Sequence, residues 1–456
     1  MIRTAMSAVE ELAACLGSAV ISGADASLAY RRDRSLLTAA GTPAAVVRAR
    51  SAEHVVATLR IADQRGVPVV TRGAGSGLAG GANAIDGCIV LCTERMNRIL
   101  SIDEHTRTAT VEAGVINSDV ATAAAAHGLW YVPDPGSRDF STIGGNIATN
   151  AGGACCAKYG VTADHVARIK AVLPGGQIIH TGSATRKNTA GLNLTQLLVG
   201  SEGTLAVIVE ATVRLRQLPS ETATLVATFP SATAATSAVA SLTAATEPSL
   251  VEFMDNTTIA AVNRMTKMGL DEAAGGMLLI QCDGDSAHTQ IERCAAACGE
   301  LQPIELYVTA DAREGAALMQ ARRVALTALE KCGSTLLDDL AVPVPQLASM
   351  LTAISEIATR HELLIGTFGH AADGNLHPTI VFDAADPDAV FRARRAFSDM
   401  VARCLELGGS ITGEHGVGQL KSSFLTQMVG VAERRLMGDI KSVFDPRGIL
   451  NPGRGV

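Results

Sequence analysis

Aromatic residues are scarce in this chain of 456 residues: they make up 3%, and Trp130 is the only tryptophan. Stacking platforms for nucleobases are therefore not expected. A basic surface is lacking as well, because the formal net charge is -7. Without it the electrostatic footprint of a nucleic-acid binder is missing. No stretch supplies the roughly 20 apolar residues that a membrane-spanning helix requires, since charges and glycines interrupt every Ala/Val/Leu-rich run. The start of the chain mixes apolar residues with Arg3, Glu10 and Glu11, which reads as an amphipathic helix rather than a signal peptide. Cysteine is not scarce, but cysteine spacing is uninformative: the ten residues form no C-x-x-C. Neither a cysteine zinc site nor an iron–sulfur cluster is implied. Reduced, buried thiols in a cytoplasmic protein are the expectation.

What is present suits a folded, multi-domain chain, with 47% hydrophobic and 18% charged residues. Periodicity predicts a helix near 51–65, stopped by Gly66, and strands at 68–71, 88–92, 98–102 and 107–113. A helix capped by Asn117 and stopped by Gly128 follows, then strands near 168–173, 177–181 and 204–215. Past Pro219 the character changes. Strand-like runs (223–229, 249–254, 276–282, 304–309) alternate with Ala-rich helices (232–245, 288–298, 312–331). That pattern suggests an α+β domain on one sheet, with parallel and antiparallel pairing both open. From about 411 the chain returns to glycine, charge and proline.

Gly75-Ser76-Gly77-Leu78-Ala79-Gly80 satisfies G-x-G-x-x-G as a string. A Rossmann site needs a helix to open at the third glycine, yet the chain runs on through Gly81 to Gly87 into a strand. The physical role of a phosphate cradle survives, because Arg72-Gly73-Ala74-Gly75-Ser76-Gly77 has no large side chain after the arginine. An ordinary glycine turn is the plain alternative. A second stretch, Pro133 to Ser137 and Ser141 to Gly153, is almost without charge and would let backbone approach a large ligand closely. Leu198 to Ile208 then forms a turn feeding a strand.

Two more glycine-rich turns carry histidines. His370-Ala371-Ala372-Asp373-Gly374-Asn375-Leu376-His377 spaces two imidazoles seven apart around an Asp-Gly-Asn turn, and a hairpin would bring them together. Gly413-Glu414-His415-Gly416 adds a carboxylate and a third imidazole. Two imidazoles and a carboxylate suit a zinc-like divalent ion, although a single histidine is more often a satisfied structural residue.

These segments, in this order, resemble the vanillyl-alcohol oxidase type of FAD domain. They are most similar to its branch containing D-lactate dehydrogenase, D-2-hydroxyglutarate dehydrogenase and the glycolate oxidase D subunit. The resemblance runs from about 40 to 455. It implies an α+β fold: a two-subdomain FAD-binding domain (1–219), a ferredoxin-like α+β cap or substrate domain (220–410), and a C-terminal helical segment (411–456) returning to the FAD domain. Arg72, Gly73, Ala74, Gly75, Ser76 and Gly77 match the pyrophosphate loop. Pro135, Gly136, Ser137, Ser141, Gly144, Gly145, Asn146, Thr149, Asn150, Gly152 and Gly153 match further contacts to the flavin nucleotide. Val207 and Ile208 match the strand near the adenine, and Asn451 the terminal asparagine motif. No histidine lies in the pyrophosphate loop, so FAD is expected to be held non-covalently, although Cys155 and Cys156 follow the glycine stretch.

The resemblance makes His370, His377 and Glu414 ligands of a divalent metal, with zinc first and manganese or iron as alternatives. His415 becomes the base that takes the substrate hydroxyl proton. Arg322 stands where the family has the arginine of W-x-x-R and is the candidate for the substrate carboxylate; a solvated helix arginine is the plain alternative. The implied reaction is oxidation of a small D-2-hydroxy acid to the 2-oxo acid. Ala372, Met319, Leu337 and Thr379 depart from the family pattern. Leu337 stands where the 2-hydroxyglutarate enzymes have a lysine, so lactate, glycolate or a larger monocarboxylate is favoured over the dicarboxylate. Electrons would leave to a quinone, cytochrome, electron-transfer flavoprotein or partner subunit. An oxygen-using oxidase, an inactive FAD-carrying subunit and a flavin-free metal hydrolase remain rival readings. A homodimer and a peripheral seat at a membrane also stay open.

Overall fold

The computed structural model of the chain describes residues 7–23 and 27–455; Arg3 of the expected N-terminal helix lies outside them. Within the described residues that helix is Ala8–Leu16, started by a capping box between Ser7 and Glu10. The chain forms two compact units. One comprises Met1–Gly152, Val161–Leu218 and Glu414–Val456; the other comprises Gly153–Gly160 and Pro219–Gly413.

The first unit holds two main sheets, besides the two-stranded pair of Leu129–Trp130 with Arg216–Gln217. In the smaller, strands Ala45–Arg48 and Val69–Arg72 flank Ile89–Cys92 in parallel, and Val20–Ser22 pairs antiparallel at the edge. Every residue of Ile89–Cys92 is buried, as befits a central parallel strand. The helix Ala52–Arg65 buries Val55, Leu59 and Ala62, a spacing that faces one side. It ends at Gly66, whose φ of 64° lets its N–H turn back to Ala62.

The larger sheet orders Ile99–Asp103, Thr108–Glu112, Val207–Arg214, Val166–Val172 and Ile178–Gly182, all antiparallel. Along Val207–Arg214, Val207 and Val209 pack into one apolar core, while Ile208, Ala211 and Val213 pack into another. Strict alternation would send 211 and 213 the same way as 209. A register shift between Ile208 and Glu210 reverses the parity, as a bulge must.

The second unit is built on an antiparallel sheet. Its order is Glu305–Thr309, Thr222–Phe229, Gly276–Asp283, Leu250–Asp255, Leu364–His370, Asn375–Phe382 and Ser334–Leu337, which settles the pairing that the sequence leaves open. Helices Ala232–Ala245 and Ala287–Gly299 pack on it, burying Ala235, Val239 and Leu242 and Ile291, Cys294 and Cys298. The chain then returns to the first unit through Ser422–Val429 and Val431–Phe444. No helix among the described residues is long and apolar enough to cross a membrane.

Two local expectations need correction. Asn117 is not the cap of its helix: Ile116 holds that position without a side-chain bond, and the Asn117 amide instead donates to the Pro133 carbonyl at 3.1 Å. The helix expected over 312–331 breaks at Val324 into Ala312–Arg323 and Ala325–Glu330.

Asp255 carries a pH dependence. It caps the helix Asn256–Thr266 through the Thr258 N–H at 2.8 Å and accepts from the Thr367 N–H at 2.8 Å. Burial nevertheless pushes its carboxyl up to about 6 from the ordinary 3.8, against those bonds. A carboxyl raised on folding binds its proton more tightly in the native state, so stability falls as pH rises from about 4 to 6. Asp255→Asn is expected to abolish that slope, which amounts to about 3 kcal/mol. Urea unfolding at pH 4, 5, 6 and 7 measures it; parallel profiles for wild type and variant would refute the assignment.

Candidate active site

In the first unit, the strand Val69–Arg72 delivers the chain into the glycine loop, where Gly75 takes a φ of 73°. The loop folds back over its own arginine, and a Cβ at Gly75 would fall on the Arg72 guanidinium. Arg72 is buried, and its Nη1 donates to the Arg32 carbonyl at 2.7 Å. It therefore braces the loop from within. Gly77 accepts from the Arg34 N–H at 2.9 Å through its carbonyl. A Cβ at Gly73 would strike the Thr142 hydroxyl, so Gly73 brings the 133–153 segment against the 72–77 loop. Ala74 and Ser76 complete the loop between them.

The 133–153 segment is not wholly irregular, as its composition suggests. Ile143–Thr149 is a helix capped by Thr142, whose hydroxyl accepts from the Gly145 N–H at 3.3 Å. Two glycines at its start disfavour helix by propensity, but packing requires them. A Cβ at Gly144 would lie 2.7 Å from the Cβ of Ala113 and 2.9 Å from its carbonyl. Asn150 ends the helix in the left-handed region at φ 50° and accepts from the Ala163 N–H at 2.9 Å. Upstream, the carbonyl of Pro135 and that of Ser137 close a turn on the N–H groups of Arg138, Phe140 and Ser141, with Gly136 between. Thr149 bonds back to the Gly145 carbonyl at 3.3 Å. Gly152 and Gly153 are buried.

The residues fit a flavin nucleotide. Ser141 Oγ and Asn146 Nδ2 are buried and have no hydrogen-bond partner among the described residues, a cost of about 1–3 kcal/mol each that a polar ligand relieves. The loop beside them has no room for a side chain at Gly73 or Gly75. Val207 and Ile208, by contrast, spend their side chains on the two cores, leaving only backbone for a ligand. Asn451 has both ends of its amide engaged: it accepts from the Thr71 N–H at 2.8 Å and donates to the Glu202 carbonyl at 2.6 Å. It ties the C-terminus to the root of the glycine loop. Gly73→Val is expected to displace Thr142 and strip the protein of FAD. The ratio of flavin to protein absorbance after gel filtration checks it, and a wild-type ratio would show that the close approach is dispensable.

In the second unit, the strands Leu364–His370 and Asn375–Phe382 form the expected hairpin around Ala371–Asp373 and Gly374, whose φ is 79°. A Cβ at Gly374 would strike the Val342 carbonyl. The turn brings the His370 and His377 rings edge to face, 5.1 Å between centroids, with both residues buried. His370 Nδ1 lies 2.5 Å from Oε1 of Glu252. The other oxygen of Glu252 forms an ion pair with Arg322 Nε, and the Arg322 guanidinium sits over the Phe368 ring at 4.6 Å. Burial pushes the Glu252 carboxyl up, but Arg322 and His370 outweigh it and hold it below the usual range. Arg322 is therefore no solvated helix arginine.

Asp339, also buried, organises the rest. It accepts from Asn375 Nδ2 at 2.8 Å, the Thr412 hydroxyl at 2.7 Å and the Gly413 N–H at 2.9 Å, and lies 3.6 Å from His377 Nδ1. Glu414 is one peptide bond beyond Gly413, within about 3.8 Å by Cα spacing, and His415 is the next residue. In the first unit, His415 Nε2 lies 3.6 Å from Glu414 Oε1. The two following N–H groups, Val417 and Gly418, both donate to the Glu202 carboxylate at 2.8 Å. Gly413 in the second unit and Val417 and Gly418 in the first are thus each held by a buried carboxylate of their own unit. Glu252 and Asp339 escape a reading of the sequence, because neither lies in a recognisable turn motif, and Glu202, though inside the turn before Val207, has no local sign of its partner. A charge inside an otherwise apolar strand, Leu250-Val251-Glu252-Phe253-Met254, is the one signal that points to the first of them.

Residues 43–182 match the family described as FAD binding domain, and residues 218–454 match the C-terminal domain of FAD linked oxidases. The chain is 41% identical to the glycolate oxidase subunit GlcD of Bacillus subtilis, over 90% of this chain and 88% of that one. It is 32% identical to a D-lactate dehydrogenase of Anaerostipes hadrus, over 95% and 94%. The structure of p-cresol methylhydroxylase superposes on it with a TM-score of 0.83 at 17% identity, covering 98% of this chain and 96% of the other, which shows a shared fold.

Proposed function

The chain belongs to the FAD-linked oxidases, and from that premise we propose that it oxidises a D-2-hydroxy acid to the 2-oxo acid with the help of a divalent metal. The observation that carries the proposal is the paired imidazoles of His370 and His377, 5.1 Å between ring centroids, with Glu252 on the neighbouring strand bonded to His370 and ion-paired to Arg322 of the helix Ala312–Arg323. The names of the relatives, a D-lactate dehydrogenase and a glycolate oxidase subunit, support the substrate class.

FAD bound by the 72–77 and 135–153 segments supplies a two-electron acceptor for the C2 hydride. His370, His377 and Glu414 would hold the metal, zinc first, which supplies positive charge that lowers the pKa of the substrate hydroxyl. Arg322 offers its terminal nitrogens to the substrate carboxylate, since its Nε is taken by Glu252. His415 accepts the hydroxyl proton on an imidazole nitrogen. Leu337 pairs with Thr379, two residues beyond His377, so position 337 supplies no cation for a second carboxylate. A lactate-like, glycolate-like or larger monocarboxylic acid is the substrate expected there.

The test is anaerobic flavin bleaching against D- and L-lactate, glycolate, longer 2-hydroxy monocarboxylates and 2-hydroxyglutarate. Bleaching by a D-monocarboxylate is expected. Failure of all of them to reduce a flavin that dithionite does reduce would overturn the reading, and preferential bleaching by 2-hydroxyglutarate would replace the substrate class. Reoxidation is expected to be faster with a quinone or dye than with air; rapid peroxide formation would make the protein an oxidase.

A further inference from the structure

Glu252 has no motif, touches neither of the glycine-rich histidine turns in sequence, and yet both of its oxygens are spent on the candidate active site. It sits mid-strand on Leu250–Asp255, directly opposite His370 on the neighbouring strand, and Met254 pairs with Phe368 in the same register. Residues opposite one another in a sheet project to the same face, so the position of the carboxylate is set by strand pairing and not by a loop. It is almost wholly buried, at 1% exposure. Oε1 lies 2.5 Å from His370 Nδ1, and Oε2 forms the ion pair with Arg322 Nε.

We infer that Glu252 is a positioning residue that prepares a metal ligand and a substrate-binding arginine together, an inference that rests on the function proposed above. A carboxylate only accepts hydrogen bonds, so His370 must carry its proton on Nδ1, and Nε2 is left with the lone pair that a metal needs. The same carboxylate takes the side nitrogen of Arg322 and leaves the two terminal nitrogens as a fork for a carboxylate ligand. Phe368 beneath the guanidinium, 4.6 Å from its centroid, fixes the plane of that fork. One buried charge therefore couples where a metal binds to how the substrate carboxylate is oriented.

Glu252→Gln tests this, because an amide of the same shape can accept from only one of the two donors. The FAD-loaded full-length protein is stripped of metal, and zinc ion is titrated in competition with a chromophoric chelator. The zinc dissociation constant is expected to rise about 10–100-fold, and KM for the bleaching substrate is expected to rise more than kcat falls. Glu252→Asp keeps the charge one methylene short and is expected to fall between wild type and Glu252→Gln; it also serves if the amide variant fails to fold. A merely structural role would lower the melting temperature and flavin content while leaving zinc affinity and KM of the folded protein unchanged, and that result overturns the inference. His377→Ala separates the two levels. If it loses zinc while Glu252→Gln retains wild-type affinity, the inference about Glu252 alone falls. If wild type binds zinc no more tightly than His377→Ala, the metal reading falls and takes this inference with it.

Discussion

His415→Ala is expected to purify with a full complement of FAD and to be reduced by substrate about 10²–10⁴-fold more slowly than wild type, the usual contribution of a positioned general base. The two halves of that expectation have separate grounds. Flavin retention follows because His415 lies in neither the 72–77 nor the 135–153 segment. Its turn is also held independently by the Glu202 carboxylate, through the Val417 and Gly418 N–H groups at 2.8 Å. Loss of reduction follows because the hydroxyl proton has no other assigned acceptor. Glu414, 3.6 Å away from His415, is committed to the metal in this scheme. Single-turnover stopped-flow under anaerobic conditions measures it. Reduction at the wild-type rate would remove His415 from the mechanism.

The second large effect concerns the metal. Dialysis against a strong chelator, or His377→Ala, is expected to eliminate turnover while leaving the flavin spectrum and the melting temperature of the FAD-binding region largely unchanged. His377 is buried beside His370 and packs against Phe368 with 5.5 Å between ring centroids. Asp339 and Glu252 stand behind the two rings. Carboxylates behind paired imidazoles are the usual supports of metal-ligating histidines. Activity should return on addition of zinc, manganese or ferrous ion to the chelated wild type, but not to His377→Ala. Full turnover with metal demonstrably absent would leave the imidazoles a structural pair and shift the burden of catalysis to His415 and Arg322.

Much of this site can be read from the chain because turns have strict chemistry. The Asp373-Gly374-Asn375 hairpin is visible as a string, since a reversal at that point needs the left-handed conformation that Gly374 adopts. The failed Rossmann pattern at 75–80 is visible for the same reason: the chain proceeds to the strand Ile89–Cys92 through turns and not through a helix. The helix Ile143–Thr149 is invisible, because its two leading glycines speak against it and only the contact of Gly144 with Ala113 explains them. Asn117 looks like a cap and acts as a strut to Pro133. Local propensity carries no information about such partners.

By itself the sequence determined the class of the protein and the identity of its turns. The glycine segments, their order and the histidine pair carry the resemblance that implies a flavin-binding α+β oxidoreductase, and they stand out in the chain because close backbone approach and reversal of direction each demand particular residues at particular places. Tertiary structure alone decided which charges support those turns. Glu252 reaches His370 across a strand pair 118 residues apart in sequence, Asp339 holds Gly413 from 74 residues away, and Glu202 holds Val417 from 215 residues away. A carboxylate has no local signature for its partner. What makes it stable in a buried place is the set of donors that folding brings to it, and that set exists only once the strands have paired.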